Sequence, residues 1–227
     1  MNVAIVVAAG SGTRLGGNRP KQFLELGGIP IIIYALRQFE RCHDINEIVT
    51  VLPAEATAGF SSQAKAFGLG KLSRVVAGGE TRAQSVRHGL AAISEAEIVA
   101  VHDGVRPFVT PEEIARVVQA AKASGAAVLV APVADTIKEV EGNRIVRTVM
   151  RNSLRRALTP QCFRLEILKR AYEALDQTEA AGVEVSDESF LVERLGVEIV
   201  AVEGTARNIK ITREEDLALA EALLKMF

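Results

Sequence analysis

Apolar residues along this chain follow two alternating rhythms. Short apolar, mostly β-branched runs at 3–7, 48–52, 74–77, 98–101, 126–133 and 199–202 read as strands, those at 3–7 and 98–101 buried. Between them, apolar positions three and four apart predict helices over 31–41, 55–67, 82–93 and 111–124. Good helix formers fill 216–225. Thr81 is placed to cap the helix at 82, and Thr110 with Pro111 at the first helical position starts the one at 111. The run Thr212 to Glu215 has capping-box spacing before the last helix. Strands alternating with helices predict an α/β fold, a mainly parallel sheet with helices on both faces. Ligands of such folds sit outside the carboxyl ends of the strands.

One stretch breaks the alternation. The runs 135–141 and 144–150 mix charge with β-branched residues and are joined by Gly142-Asn143, a two-residue hairpin signal. Neither face suits a deep core. Two readings stand: an arm reaching away to meet a partner chain, or an edge hairpin packed on its own sheet. With no repeat and no linker, the 227 residues predict a single domain over 1–227, with 135–152 as its arm.

Composition narrows the classes. Apolar residues make up 48% and charged residues 24%, which suits a globular chain with a large core. A net charge of −1 leaves no global footprint for nucleic acid, so any anion site must be local. Cys42 and Cys162 lack metal spacing and read as free thiols. No basic leader precedes the first strand and no apolar run approaches the ~20 residues that span a bilayer, so a cytoplasmic protein without a membrane partner is expected.

Candidate chemistry begins where the first strand stops. Residues 8–23 run Ala-Ala-Gly-Ser-Gly-Thr-Arg-Leu-Gly-Gly-Asn-Arg-Pro-Lys-Gln-Phe. Gly10 and Gly12 let the backbone approach a ligand and turn amides toward phosphate oxygens, while Arg14 and Lys21 add two cations. The loop is neither a dinucleotide fingerprint, which needs a glycine where Leu15 stands, nor a P-loop. A second cluster, His102-Asp-Gly-Val-Arg106, follows a buried strand. Asp103 could hold a sugar hydroxyl or a metal-bound phosphate and Arg106 a substrate phosphate, or the two could simply brace a turn. His102 has no second His or Cys beside it and reads as structural. Gly78 to Ser85 forms either a wall for a nucleobase or an ordinary strand-to-helix connection. Basic residues recur at 151–163 and at 206–212, with Thr136 and Lys138 upstream on the arm. Each alone would be solvated, but one cation and one hydroxyl per loop is what two phosphorylated ligands require.

Together these segments resemble the 2-C-methyl-D-erythritol 4-phosphate cytidylyltransferases of the non-mevalonate isoprenoid route, over essentially the whole chain. The resemblance implies a Rossmann-like fold of the nucleotide-diphospho-sugar transferase type and transfer of CMP from CTP to methylerythritol phosphate with release of pyrophosphate. It implies that the glycine loop, with Gly10 and Gly12, wraps the CTP triphosphate, and that Arg14 and Lys21 stabilise the transition state. Ala8, Ala9, Gly79 and Ser85 would line the cytosine pocket and Asp103 would contact the ribose. Arg106, Thr136, Arg151, Thr159 and Lys210 match positions that grip the acceptor, with Arg151 and Lys210 holding its phosphate for attack. Magnesium on the triphosphate is implied, with no residue assigned as a metal ligand. So is a homodimer in which the arm carries Arg151 into the neighbour's site. Ribitol-5-phosphate cytidylyltransferases share the glycine loop, Arg-Pro-Phe and Thr-Pro-Gln. The runs Asp135-Thr-Ile-Lys138 and Arg151-x-x-Leu-x-x-Ala157 look more like the methylerythritol enzymes. Sugar-1-phosphate nucleotidyltransferases and a non-catalytic nucleotide-binding domain are the remaining readings. Ser186-Asp187-Glu188 matches an element to which no chemistry is assigned.

Overall fold

The structure is a computed structural model and describes residues 1–10 and 20–226. Gly12 and Arg14 of the glycine loop lie outside the described residues. Seven strands form the central sheet: β1 (Asn2–Val7), β4 (Glu47–Leu52), β5 (Leu72–Ala77), β6 (Ile98–Asp103), β7 (Ala126–Pro132), β10 (Arg155–Arg164) and β11 (Val200–Glu203). Their order is β11-β7-β10-β6-β1-β4-β5, and every pairing is parallel except the two that β10 makes. Two short strands, β2 (Glu25–Leu26) and β3 (Ile29–Pro30), make a small ladder of their own.

All six residues of β1 are buried, because both faces of the sheet are covered. Ala4 and Val6 face α1 (Ile31–Arg41), α2 (Phe60–Ala66) and α4 (Pro111–Ser124). Val3, Ile5 and Val7 alternate to the opposite face and meet α3 (Arg82–Ala91), α5 (Leu165–Glu173) and α7 (Glu188–Glu193). A third cluster, around Leu26, Phe108 and Ile211, seats α8 (Glu214–Leu224). The α/β architecture is therefore the one the apolar rhythms predict.

The chain steps from β1 to β4 and β5 on one side and then returns to place β6 on the other. That reversal opens a crevice at the carboxyl ends of β1 and β6, where open α/β sheets bind ligands. Helix α4 shows the expected start: Glu113 N–H donates to Thr110 Oγ1 at 3.2 Å, and Thr110 N–H donates to Glu113 Oε2 at 3.1 Å.

Several boundaries differ from the sequence expectation. The helix expected at 55–67 starts only at Phe60, because Gly59 stands before it with φ +78° and breaks the preceding turn. Helix α8 is closed by Asp216 rather than Glu215; its Oδ2 accepts from Thr212 N–H, Thr212 Oγ1–H and Arg213 N–H at 2.8, 2.6 and 2.9 Å. Strand β10 and the helices α5, α6 (Leu175–Ala180) and α7 were not legible as elements. Pro160 argues against a central strand, and the register between β10 and β7 shifts between Ala157 and Gln161, which lets the proline in.

The hairpin is present as β8 (Ile137–Glu141) and β9 (Arg144–Val149), with Gly142 at φ +59° in the turn. It forms a two-stranded sheet of its own rather than an edge of the main one. Its strands are tied by Lys138 to Thr148 and Arg147 to Glu139, and Val140, Ile145 and Met150 stay 57%, 60% and 72% exposed.

Candidate active site

A cleft of about 360 Å³ opens at the crevice. Its floor follows the end of β1, with Ala8, Ala9 and Gly10; its walls are Gly79 to Arg82 with Ser85, Asp103 at the end of β6, and the two cations Lys21 and Lys210. Eight of the expected site residues thus meet in one place: Ala8, Ala9, Gly10, Lys21, Gly79, Ser85, Asp103 and Lys210.

The floor is held from below. Ala8 N–H donates to Val51 O at 2.8 Å, continuing the ladder past β1. Gln22, buried in the 3₁₀ turn Lys21–Phe23, donates its amide to Ala8 O at 2.6 Å and Gly10 O at 3.1 Å. One side chain therefore ties the start of the glycine loop to its far end and carries Lys21 back over the cleft.

The wall at Gly78–Ser85 depends on close approach. A Cβ on Gly78 would stand 2.2 Å from Ala9 Cβ and 2.8 Å from Ser85 Oγ, so only glycine lets the start of α3 close on the end of β1. Ser85 Oγ accepts Gly79 N–H at 3.1 Å and donates to Thr81 O at 2.9 Å. Thr81 caps α3 by accepting Gln84 N–H at 3.1 Å.

Asp103 is the electrostatic centre. Its Oδ1 accepts from Arg82 Nε at 2.9 Å, and its Oδ2 from Arg106 Nε at 3.2 Å and Lys210 Nζ at 3.1 Å. Burial alone would push this carboxyl up, but the charges of Arg82, Lys210 and Arg106 outweigh it and hold the group well below the usual carboxylate range. Arg82 is fixed in turn by Glu188, whose Oε1 and Oε2 take its Nη1 and Nη2 at 2.7 and 3.0 Å. Burial would lower the Arg82 pKa, yet Glu188 and Asp103 raise it well above the ordinary arginine value.

Beneath Asp103 lies a neutral histidine. His102 is fully enclosed, and burial brings its pKa down to about 4. Its Nε2 stands 3.1 Å from the carbonyl of Arg106, which can only accept, so Nε2 carries the proton. Nδ1 therefore accepts from Thr159 Oγ1 at 2.9 Å, and Thr159 Oγ1 accepts Asp103 N–H at 3.2 Å. The hydroxyl proton of Thr159 is thus directed to His102 rather than into the cleft. Arg106 also donates Nη1 to Asn208 O at 3.0 Å, and Asn208 donates to Thr159 O at 2.8 Å. Arg106 and Thr159 adjoin the cleft through Asp103 without lining it, and Thr136 and Arg151 are exposed on the arm, outside it.

Three contributors escaped the sequence reading. Gln22 stood in the Pro-Lys-Gln-Phe run without a role of its own. Arg82 carried a signal: a cation in the first turn of a helix opposes the macrodipole and needs an anionic partner. Glu188 stood in the Ser186-Asp187-Glu188 element, to which no chemistry was assigned. Among the described residues no group of three or more His, Cys, Asp or Glu side chains is placed to hold a metal ion.

The seven-stranded sheet and a switch-point cleft rimmed by cations and main-chain groups define an α/β protein built around a polyanionic ligand. Comparison with known proteins makes this specific. A model of the 2-C-methyl-D-erythritol 4-phosphate cytidylyltransferase family matches residues 2–226. A relative of that name from Geobacillus kaustophilus is 43% identical over 221 residues, covering 97% of this chain and 96% of its own. Another, from Syntrophus aciditrophicus, is 42% identical over 98% of this chain and 95% of its own. The crystal structure of the Thermus thermophilus cytidylyltransferase superposes with a TM-score of 0.79 at 37% identity, covering 97% of this chain and 98% of that one. The chain belongs to the 2-C-methyl-D-erythritol 4-phosphate cytidylyltransferase family.

Proposed function

We propose that this protein transfers a cytidylyl group from CTP to 2-C-methyl-D-erythritol 4-phosphate, giving 4-diphosphocytidyl-2-C-methyl-D-erythritol and pyrophosphate. The observation that carries this reading is the convergence of Lys21, Lys210 and Asp103 on the floor Ala8–Gly10, in a chain with this family membership. A cleft of about 360 Å³ falls at the small end of the range for small-molecule sites.

The chemistry needs positioning more than proton transfer. A phosphate monoester has its second pKa near 6, so at neutral pH the acceptor is already a dianion and its own nucleophile. No general base is required, which suits a site whose histidine is buried, neutral and committed to Arg106 and Thr159. An oxygen of the monoester attacks the α-phosphorus in line. The new P–O bond forms as the bond to the β-phosphate breaks, and its electron pair leaves with pyrophosphate. Lys21 and Arg14, with the main-chain donors of the glycine loop, stabilise the charge that grows on the α-phosphate and the leaving group. Lys210 and Arg151, with Arg106, Thr136 and Thr159 around them, hold the incoming phosphate. Ala8, Ala9, Gly79 and Ser85 form the cytosine side and Asp103 takes a ribose hydroxyl. Magnesium carried by the nucleotide would neutralise triphosphate oxygens as part of the substrate; Asp103, already paired with three cations, is left to the ribose.

The arm completes the site in a homodimer. Thr136 and Arg151 do not line their own cleft, and the exposed Val140, Ile145 and Met150 supply an apolar face for a second copy. No described helix is long and apolar enough to cross a membrane, and both substrates are small water-soluble anions, which supports a cytoplasmic setting. The test is pyrophosphate release with CTP, UTP, GTP and ATP against methylerythritol phosphate and ribitol 5-phosphate. Release confined to CTP with methylerythritol phosphate is expected; preference for another base or for ribitol phosphate would overturn the assignment.

A further inference from the structure

Glu188 is completely buried and does not line the cleft, yet it is two contacts from the cleft's central carboxylate. Its Oε1 accepts both Arg82 Nη1 at 2.7 Å and Tyr172 Oη at 3.0 Å, and its Oε2 accepts Arg82 Nη2 at 3.0 Å. The Nη1/Nη2 edge of the guanidinium is therefore taken by Glu188, which turns the opposite edge to Asp103, where Nε–H meets Oδ1 at 2.9 Å.

This division matters because a carboxylate offers about four lone-pair positions. Asp103 uses three of them, one for Arg82 and two for Arg106 and Lys210. Oδ1 keeps one acceptor position, and Asp103 lines the cleft. A guanidinium released from Glu188 would lose the bidentate anchor that holds its other edge against Oδ1. Asp103 would then be held only through Oδ2 by Arg106 and Lys210 and could turn Oδ1 away from the nucleotide.

We propose that Glu188 is a positioning residue: by anchoring Arg82 it fixes the orientation in which Asp103 Oδ1 meets a ribose hydroxyl of the nucleotide. The proposal rests on the reading of the cleft as a CTP site. Helix α7, which carries Glu188, is itself held by Asp187, whose Oδ1 accepts Phe190 N–H and Ser189 Oγ–H at 2.9 Å each. Gln161 of β10 reaches the same turn, donating to Asp187 Oδ2 and accepting Ser189 N–H, each at 2.9 Å. The segment Ser186-Asp187-Glu188 thus becomes the mount for a second layer behind the nucleotide.

The ribose contact exists before and during the reaction, so its loss should act on KM rather than kcat. Losing a hydrogen bond to a charged group corresponds to about tenfold to a hundredfold in affinity. The experiment is steady-state kinetics of Glu188→Gln with CTP, 2′-deoxy-CTP and 3′-deoxy-CTP. Glutamine keeps the shape and loses the charge that holds the fork. KM for CTP should rise at least tenfold, with kcat and the acceptor KM within about threefold. The wild-type preference for CTP over the deoxynucleotide lacking the contacted hydroxyl should collapse in the variant, a change that loosened packing alone would not give. Arg82→Lys, which keeps a cation for Asp103 but has no fork, should raise the CTP KM similarly and serves if Glu188→Gln does not fold. Unchanged ribose discrimination in an active variant would overturn the proposal alone. A wild type that does not use CTP would overturn the reading of the cleft and this proposal with it.

Discussion

His102 shows how a single enclosed side chain sets the posture of several others. It accepts a hydrogen bond from Thr159 Oγ1, donates one to Arg106 O, and packs against Phe39 with ring centroids 4.9 Å apart. Its folded pKa of about 4 lies below the ordinary value of 6.5. The unfolded chain therefore binds more protons between those two values, and stability falls as pH drops from about 6.5 toward 4, then levels off for this group. The full effect is about 3 kcal/mol. Asp103, held low, adds a further loss below the ordinary carboxylate pKa, in the same direction. Urea unfolding at pH 7 and pH 5 should show the slope, and NMR of the imidazole should find His102 neutral at pH 5.5; a charged ring there would refute the arrangement. Lys21 acts on the other side of the chemistry. Lys21→Ala and Arg14→Ala should each cut turnover by roughly 10²–10³ while leaving the melting temperature within a few degrees. Near-normal kinetics in either would remove the charge-stabilisation account.

Among the elements, legibility followed burial pattern. Strands β1, β4, β6 and β7 are continuous apolar runs because sheet faces are covered on both sides, and each was visible as such. Helix α4 announced itself through Thr110 and Pro111, and Glu113 completes the cap in the structure. Strand β10 was hidden because its residues were charged at one end and interrupted by Pro160 at the middle, where the register shifts. The same strand supplies Thr159, which the resemblance had named, and Gln161, whose contacts with α7 it had not. Glu188 and Arg82 lie 106 positions apart, and no local pattern encodes a pairing over that distance. The cleft residues at the ends of β1, β5 and β6 were legible because glycines and polar groups where a strand stops are local signals. The meeting of β1 with α3 gives a direct test. Gly78→Ala places a methyl 2.2 Å from Ala9 Cβ, so the wall must move off the floor. Overpacking of this kind costs about 1–3 kcal/mol, and the CTP KM should rise at least tenfold. An unchanged KM would show that the cytosine side does not rely on this contact.

The whole molecule is a sheet that delivers several loops to one crevice and an arm that leaves it. Cations gather at the crevice although the net charge of the chain is only −1, so the field is local and placed by topology. The arm carries Thr136 and Arg151 away from the cleft that the rest of the chain builds. If the neighbour's arm completes each site, mixing Arg151→Ala chains with Lys21→Ala chains should restore activity toward one site in every mixed dimer. Failure of the mixture to exceed either parent would remove the exchanged-arm account. The central claim is that the crevice beside Gly10, Gly79 and Asp103 is where CTP lies while the acceptor displaces pyrophosphate. A crystal structure with bound CTP tests it most directly: the account predicts the triphosphate beside Lys21 and the ribose on Asp103, and a nucleotide seated anywhere else on the molecule would contradict it.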